Sequence, residues 1–364
     1  MSDSAKAVEI SDKVFTGPAP RNHTTYYLET GLPSSTTIFF VHGWPELSIS
    51  WRHQLTTFAG LGFHCVAPDM RGYGKSGLYS THDAYRMEEI VQDMLELIDH
   101  LGKEQVILVG HDWGSPAVGY FVSHHPERTL AAAFLCVPYF SKGFSLKELV
   151  PTVDRKIYPE AEFPLGQWDY QKFYEESFEK AESEFNNANP TDLLRALYRA
   201  GDPSGAGKPV FTAYITKLGG WFPGGIPAGI PRDDNVMSEE DEPIYLDAIM
   251  RSKFFGGHSW YMNHAANTEY ASRAVNGGNL DMPVLMIHAR YDWVCETVEN
   301  TKMMEDMRAS CANLSEAVVD TGHWCEKEKP MQVNAALARW LAVECPPLWI
   351  KDGTKVLRKL GTSM

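Results

Sequence analysis

The chain has 364 residues, 44% hydrophobic and 12% aromatic, enough apolar surface for one large core with an insertion or for two units, and too much for extensive disorder. Its formal net charge of −14, with a basic cluster only from Lys351 to Lys359, opposes the counterion release that drives nucleic-acid binding, so no nucleic-acid partner is expected. The opening MSDSAKAVEI lacks an apolar signal core and no apolar run nears the ~20 residues of a bilayer crossing, so a cytoplasmic protein without a membrane anchor is expected.

In chain order, the first strong pattern is TTIFFVHGW from Thr36, then FHCVAPDM from Phe63, EQVILVGHD from Glu104 and LAAAFLCVP from Leu130. Between the second and third, Met87, Ile90, Val91, Met94, Ile98 and Leu101 recur at helical spacing, and Gly102 supplies a stop. Strands alternating with a helix are the mark of a parallel sheet with crossover helices. After Pro138 the rhythm breaks into aromatic and acidic helical stretches and the loop GGWFPGGIPAGIP. It resumes near Asn279 with MPVLMIHA from Met282 and LSEAVVDT from Leu314, and a last helix passes through Ala335 to Leu341. The prediction is one α/β sheet with helices on its faces, carried by residues 1–138 and 280–364 and interrupted by a mainly helical insertion over 139–279.

GHDWGS, from Gly110 to Ser115, lies between a strand and a helix, the context of a nucleophile elbow. Small residues two before and two after the central position avoid backbone collision, and Gly110 and Gly114 stand there. The central residue is Asp112. A carboxylate is already anionic at neutral pH and attacks carbon without a base, which suits displacement at an sp3 centre. The plainer alternative is an aspartate capping a helix. HGWP, His42 to Pro45, ends an earlier strand, so the backbone N–H groups of Trp44 and Trp113 can form an oxyanion hole.

His323, in GHW after the last strand, is the expected general base, and Asp292, in HARYDWV, its orienting acid. His42, His124, His125, His258 and His264 are expected to be structural or exposed. No spacing such as HExxH or CxxC occurs, so no metal is expected, and the six cysteines are read as free thiols. His323 beside Cys325 and Glu326 is too little for a metal centre.

HGWPELSISWRHQL, DMRGYGKSG, GHDWG, PVLMIHARYDWV and TGHWCEKEKPMQVN together resemble the soluble epoxide hydrolases of the α/β-hydrolase fold, over nearly the whole chain. The resemblance implies a cap (lid) after the sixth strand, bearing two tyrosines directed at the nucleophile. WDYQKFY assigns one role to Tyr170 and FFGGHSWYMNH the other to Tyr261. It further implies a covalent Asp112 ester, hydrolysed by water that His323 activates, to a vicinal diol, with no cofactor. The segment before HGWP is too short for the phosphatase-like domain of the two-domain vertebrate members.

Trp168, Trp221, Phe222 and Trp260 in the insertion point to a small hydrophobic epoxide as partner, with water as co-substrate; cap core packing explains each of them equally well. The oligomeric state stays open, a homodimer included. A haloalkane dehalogenase would share Asp112 and Trp113 but needs no phenolic acid, and a noncatalytic ligand-binding relative would not need a complete set of catalytic positions. A serine esterase is disfavoured because no GxSxG occurs.

Overall fold

The apolar runs form strands where expected. In the computed structural model, which describes residues 9–348, β3 (Thr37–Val41), β4 (His64–Pro68) and β5 (Val106–His111) are buried at every position. The basic cluster from Lys351 to Lys359 and most of MSDSAKAVEI lie outside the described residues. With β1 (Ser11–Thr16), β2 (Thr24–Thr30), β6 (Thr129–Leu135), β7 (Leu280–Ala289) and β8 (Cys311–Val319) they build an eight-stranded sheet among the described residues. Its order is β1-β2-β4-β3-β5-β6-β7-β8. β2 runs antiparallel to both its neighbours, and the other pairs are parallel.

Alternation along the strands separates two cores. Phe39 and Val41 point to one face, where α2 (Met87–His100) and α3 (Gly114–His124) supply Ile90, Met94, Val118 and Phe121. Ile38 and Phe40 point to the other, against Leu55 and Phe58 of α1 (Arg52–Gly60). Helices on both faces explain why the central strands read as unbroken apolar runs. This is the α/β-hydrolase architecture.

Between β6 and β7 the chain is helical and irregular, with α4 (Asp169–Asn187), α5 (Pro190–Leu197), α6 (Glu242–Ser252) and α7 (His264–Ala271). Its aromatic residues, including Trp168, Tyr174 and Trp260, continue the core on the α2–α3 side of the sheet. After β8, α8 (Pro330–Glu344) packs Leu337 and Trp340 onto the opposite face. It contains the expected stretch from Ala335 to Leu341 and begins at Pro330, in the first turn, where a missing N–H costs nothing. Gly102, at φ +66°, lies just past the end of α2 as its position implied. β1 and β2 carry too few apolar residues to stand out in the sequence: β1 is an exposed edge, and β2 buries only Thr25, Tyr27, Leu28 and Thr30. No helix among the described residues is long and apolar enough to cross a membrane.

Candidate active site

The turn from β5 into α3 holds Asp112 at φ +49°, a left-handed conformation that strains any residue with a side chain. The glycines make it feasible. A Cβ on Gly110 would collide with the Gly114 carbonyl, and one on Gly114 with the Val41 carbonyl at the end of β3. A third close approach was not anticipated: a Cβ on Gly43 would strike the Asp112 carboxylate and come within 2.5 Å of the Trp113 N. The HGWP loop is thereby brought against the elbow.

The Trp44 N–H donates to Asp112 Oδ1 at 2.6 Å, across the cis Trp44–Pro45 peptide from the rest of the loop. The Trp113 N–H sits beside Gly43 and the same carboxylate. On the other oxygen, His323 Nε2 lies 3.4 Å from Asp112 Oδ2. His323 Nδ1 is 2.6 Å from Asp292 Oδ2, while Asp292 Oδ1 accepts the N–H groups of Val294 at 3.2 Å and Cys295 at 3.0 Å. The structure therefore joins Asp112, His323 and Asp292 in one line. Their exposure grades along it: the side chains of His323 and Asp112 are 23% and 15% accessible, and that of Asp292 is 2%.

Electrostatics follow from this geometry. Burial disfavours the His323 cation, but the Asp292 and Asp112 carboxylates outweigh it and hold the imidazole pKa well above its usual value. Burial likewise raises Asp292, yet the facing imidazolium and the backbone N–H groups pull its carboxyl below the ordinary range.

Tyr170, in the first turn of α4, and Tyr261, in the short turn Trp260–Met262, come together with ring centroids 5.6 Å apart. Tyr261 stands edge-on to the Trp113 indole at 5.0 Å and 87°. Both phenols are buried; burial first, with the Asp112 carboxylate adding to it, pushes them well above the usual phenol pKa. Both hydroxyls are thereby kept protonated. The Tyr170 hydroxyl also accepts from Gln171 Nε2 at 3.2 Å.

Of the cap aromatics named from the sequence, Trp221 packs on Tyr170 at 5.7 Å, whereas Trp260 spends its indole N–H on the Arg71 carbonyl. His42 is structural: its Nδ1 meets the Gly43 carbonyl and its Nε2 accepts the Met70 N–H, both at 2.9 Å. His124 bridges the Tyr120 and Tyr270 carbonyls. All six cysteines are buried and unpaired.

A supporting layer escaped the sequence reading. His111, just before Asp112, places Nδ1 2.7 Å from Glu46 Oε2 and Nε2 2.7 Å from the His323 carbonyl. Both partners are acceptors, so the ring carries two protons and its charge is matched by Glu46. Burial opposes that charge, but the Glu46 carboxylate more than offsets it and raises the His111 pKa. The imidazole nitrogens are thus already committed where His111, Cys325 and Glu326 come within ligand distance of one another. The signal was present in the motifs: Glu46 follows HGWP and His111 precedes Asp112, both polar residues in apolar surroundings.

Comparison with known proteins bears on the fold and the family. The alpha/beta hydrolase fold family model matches residues 36–186. Epoxide hydrolase A of Mycobacterium tuberculosis is 30% identical over 325 residues, 86% of this chain and 92% of that protein. The chain belongs to the epoxide hydrolase family. Bifunctional epoxide hydrolase 2 of Sus scrofa is 29% identical over 88% of the chain, which spans only 53% of that larger protein. Among solved epoxide hydrolase structures, epoxide hydrolase A from Mycobacterium thermoresistibile superposes with a TM-score of 0.73 at 26% identity, covering 92% of this chain and 99% of that one. An epoxide hydrolase from Vigna radiata gives a TM-score of 0.73 at 25% identity, covering 92% and 98%.

Proposed function

We propose that this chain converts an epoxide and water to a vicinal diol through a covalent ester on Asp112, without a cofactor. The observation that carries the proposal is the Asp112 carboxylate held between the Trp44 N–H at 2.6 Å and His323 at 3.4 Å, with Tyr261 against the indole of the adjacent Trp113. Asp112 attacks one epoxide carbon, the C–O bond breaks, and the oxygen takes a proton from Tyr170 or Tyr261 as its negative charge develops. His323, oriented by Asp292, then removes a proton from water. The resulting hydroxide attacks the ester carbonyl carbon, and the N–H groups of Trp44 and Trp113 hold the tetrahedral oxyanion; its collapse expels the substrate alkoxide, which takes the proton left on the Asp112 carboxyl and departs as the diol, while the His323 imidazolium returns its proton to the tyrosinate.

Residues 139–279 act as the cap of this site and the remainder as its core. The small hydrophobic epoxide expected as substrate is supported by the aromatic wall around Tyr170 and Trp221. Buried free thiols fit a reducing cytoplasm.

The test pairs the purified protein with an Asp112→Ala variant on aryl, terminal and internal epoxides. Diol is expected from the wild type only, and a single turnover in water labelled with oxygen-18 should leave the first diol unlabelled, because its new oxygen comes from Asp112. Immediate label in the diol, or halide release from haloalkanes with epoxides inert, overturns the reading.

A further inference from the structure

The wall behind the tyrosine pair holds more polar atoms than the proposed chemistry uses. Tyr174, one helical turn after Tyr170 on α4, stacks on Tyr261 with centroids 4.7 Å apart at 22°. His258 lies against it at 4.6 Å and against Trp44 at 5.9 Å. Trp221 closes the ring of contacts, 5.7 Å from Tyr174 and 6.3 Å from Trp44. The Tyr174 hydroxyl, the indole nitrogens of Trp44 and Trp221, and both nitrogens of His258 are buried without a hydrogen-bond partner among the described residues.

Such a concentration is costly in a packed core. Leaving a buried donor or acceptor unmet costs about 1–3 kcal/mol, and the large majority of buried polar atoms in folded proteins are paired. Phenylalanine or leucine would fill the same volumes without that penalty. Five unmet atoms lie on four touching rings, and one of these rings, Tyr174, stacks on Tyr261, which packs against the Trp113 indole beside Asp112. Their chemistry is specific. An indole N–H only donates, a buried phenol is a donor, and burial lowers the His258 pKa to about 3, leaving a neutral ring with one N–H and one lone pair. Uncharged donors between aromatic faces suit an acceptor oxygen on an otherwise apolar chain.

We propose that Tyr174 and His258, with the indole N–H groups of Trp44 and Trp221, form a second polar subsite, and that the preferred epoxide bears a hydroxyl or carbonyl oxygen a few bonds from its ring. The proposal rests on the epoxide hydrolase reading of Asp112 and adds a substrate class to it. A site built to hydrogen-bond such an oxygen discriminates against the analogue lacking it, because its own donors are then left unmet.

The experiment compares two epoxides matched in length, one with a hydroxyl or keto oxygen on the distal chain and one with methylene there. The readout is the ratio of their kcat/KM values in the wild type, in Tyr174→Phe and in His258→Phe. The wild type is expected to favour the oxygenated epoxide, and each variant to lower the ratio about tenfold, the ~1.4 kcal/mol of one neutral hydrogen bond. Tyr174→Phe removes a single unpaired oxygen and keeps the ring, so it reports even if His258→Phe misfolds. A ratio unchanged in Tyr174→Phe overturns the subsite while epoxide hydrolysis stands; a wild type inert on both epoxides overturns the Asp112 reading beneath it.

Discussion

The proposed mechanism requires Asp112 to be an anion when the epoxide arrives and His323 to be neutral when the water does. One arrangement serves both demands. In the resting site two carboxylates flank the imidazole, Asp112 at 3.4 Å and Asp292 at 2.6 Å, and they hold its proton. Once Asp112 is an ester its charge is gone, and the imidazole pKa falls toward what Asp292 alone supports, so the base is released only after the first step. In the proposed mechanism the phenols act in that first step. Tyr170→Phe or Tyr261→Phe alone should slow alkylation by about 10- to 100-fold, and the double variant by on the order of 10⁴-fold, as measured by stopped flow. A double variant no slower than the singles would show that the phenols do not share the oxygen. At this scale the sequence was most informative where a residue sits inside a motif: Asp112, His323 and Asp292 come together as expected, while Tyr170 and Tyr261 rested on family resemblance. Glu46 and His111 were missed because one buried polar residue in a strand or loop looks the same whether it packs or supports. Tyr174 was not singled out among the tyrosines, and His258 was read as structural or exposed, because neither lies in a motif that marks its surroundings.

The elements that matter most are the ends of β3 and β5, which deliver the HGWP loop and the elbow to one place. Their contact is backbone to backbone, since Gly114 leaves no room for a Cβ beneath the Val41 carbonyl. Gly114→Ala should destabilise the protein by about 1–3 kcal/mol in chemical denaturation, as overpacking does. It should also lower activity more than the loss of folded protein explains, because the elbow must move. Wild-type stability in that variant would mean the strand ends are not held as tightly as they stand. The central strands were legible because they are buried on both faces, and α2 because its apolar spacing and Gly102 agree. The cap was legible only as an interruption. Its helix α4 bends at Ser177, where φ is −143° and ψ 40°, and no proline or glycine there marks the bend. β1 and β2 escaped because pairing with a neighbour, not their own composition, makes them strands.

At the scale of the molecule, the cost of burying neutral imidazoles should appear in its acid stability. His23 and His258 are lowered to about 3 and His264 to about 4, burial being the largest cause in each. The unfolded chain therefore takes up these protons first as pH falls. Their contribution is complete above about pH 6.5 and declines below it, by about 1.4 kcal/mol per pH unit for each imidazole, until the folded pKa values are reached. Urea denaturation should show stability falling steeply between pH 6.5 and 4.5, with a shallower slope in His258→Phe; a flat profile would contradict the burial of these rings as neutral groups. Fold and family were visible in the whole sequence, from the order of strand patterns and from motifs spread along it. Which oxygen a substrate presents to the cap was not, because that depends on rings from α4, the HGWP loop and the segment before Tyr261 meeting in space. The central claim, a bond between Asp112 and substrate carbon, is tested most directly by intact-protein mass spectrometry of a His323→Gln variant quenched with epoxide. A mass increase of one epoxide, mapped by proteolysis to the peptide containing Asp112 and absent in Asp112→Ala, is predicted; no adduct, or one on another residue, would contradict the account.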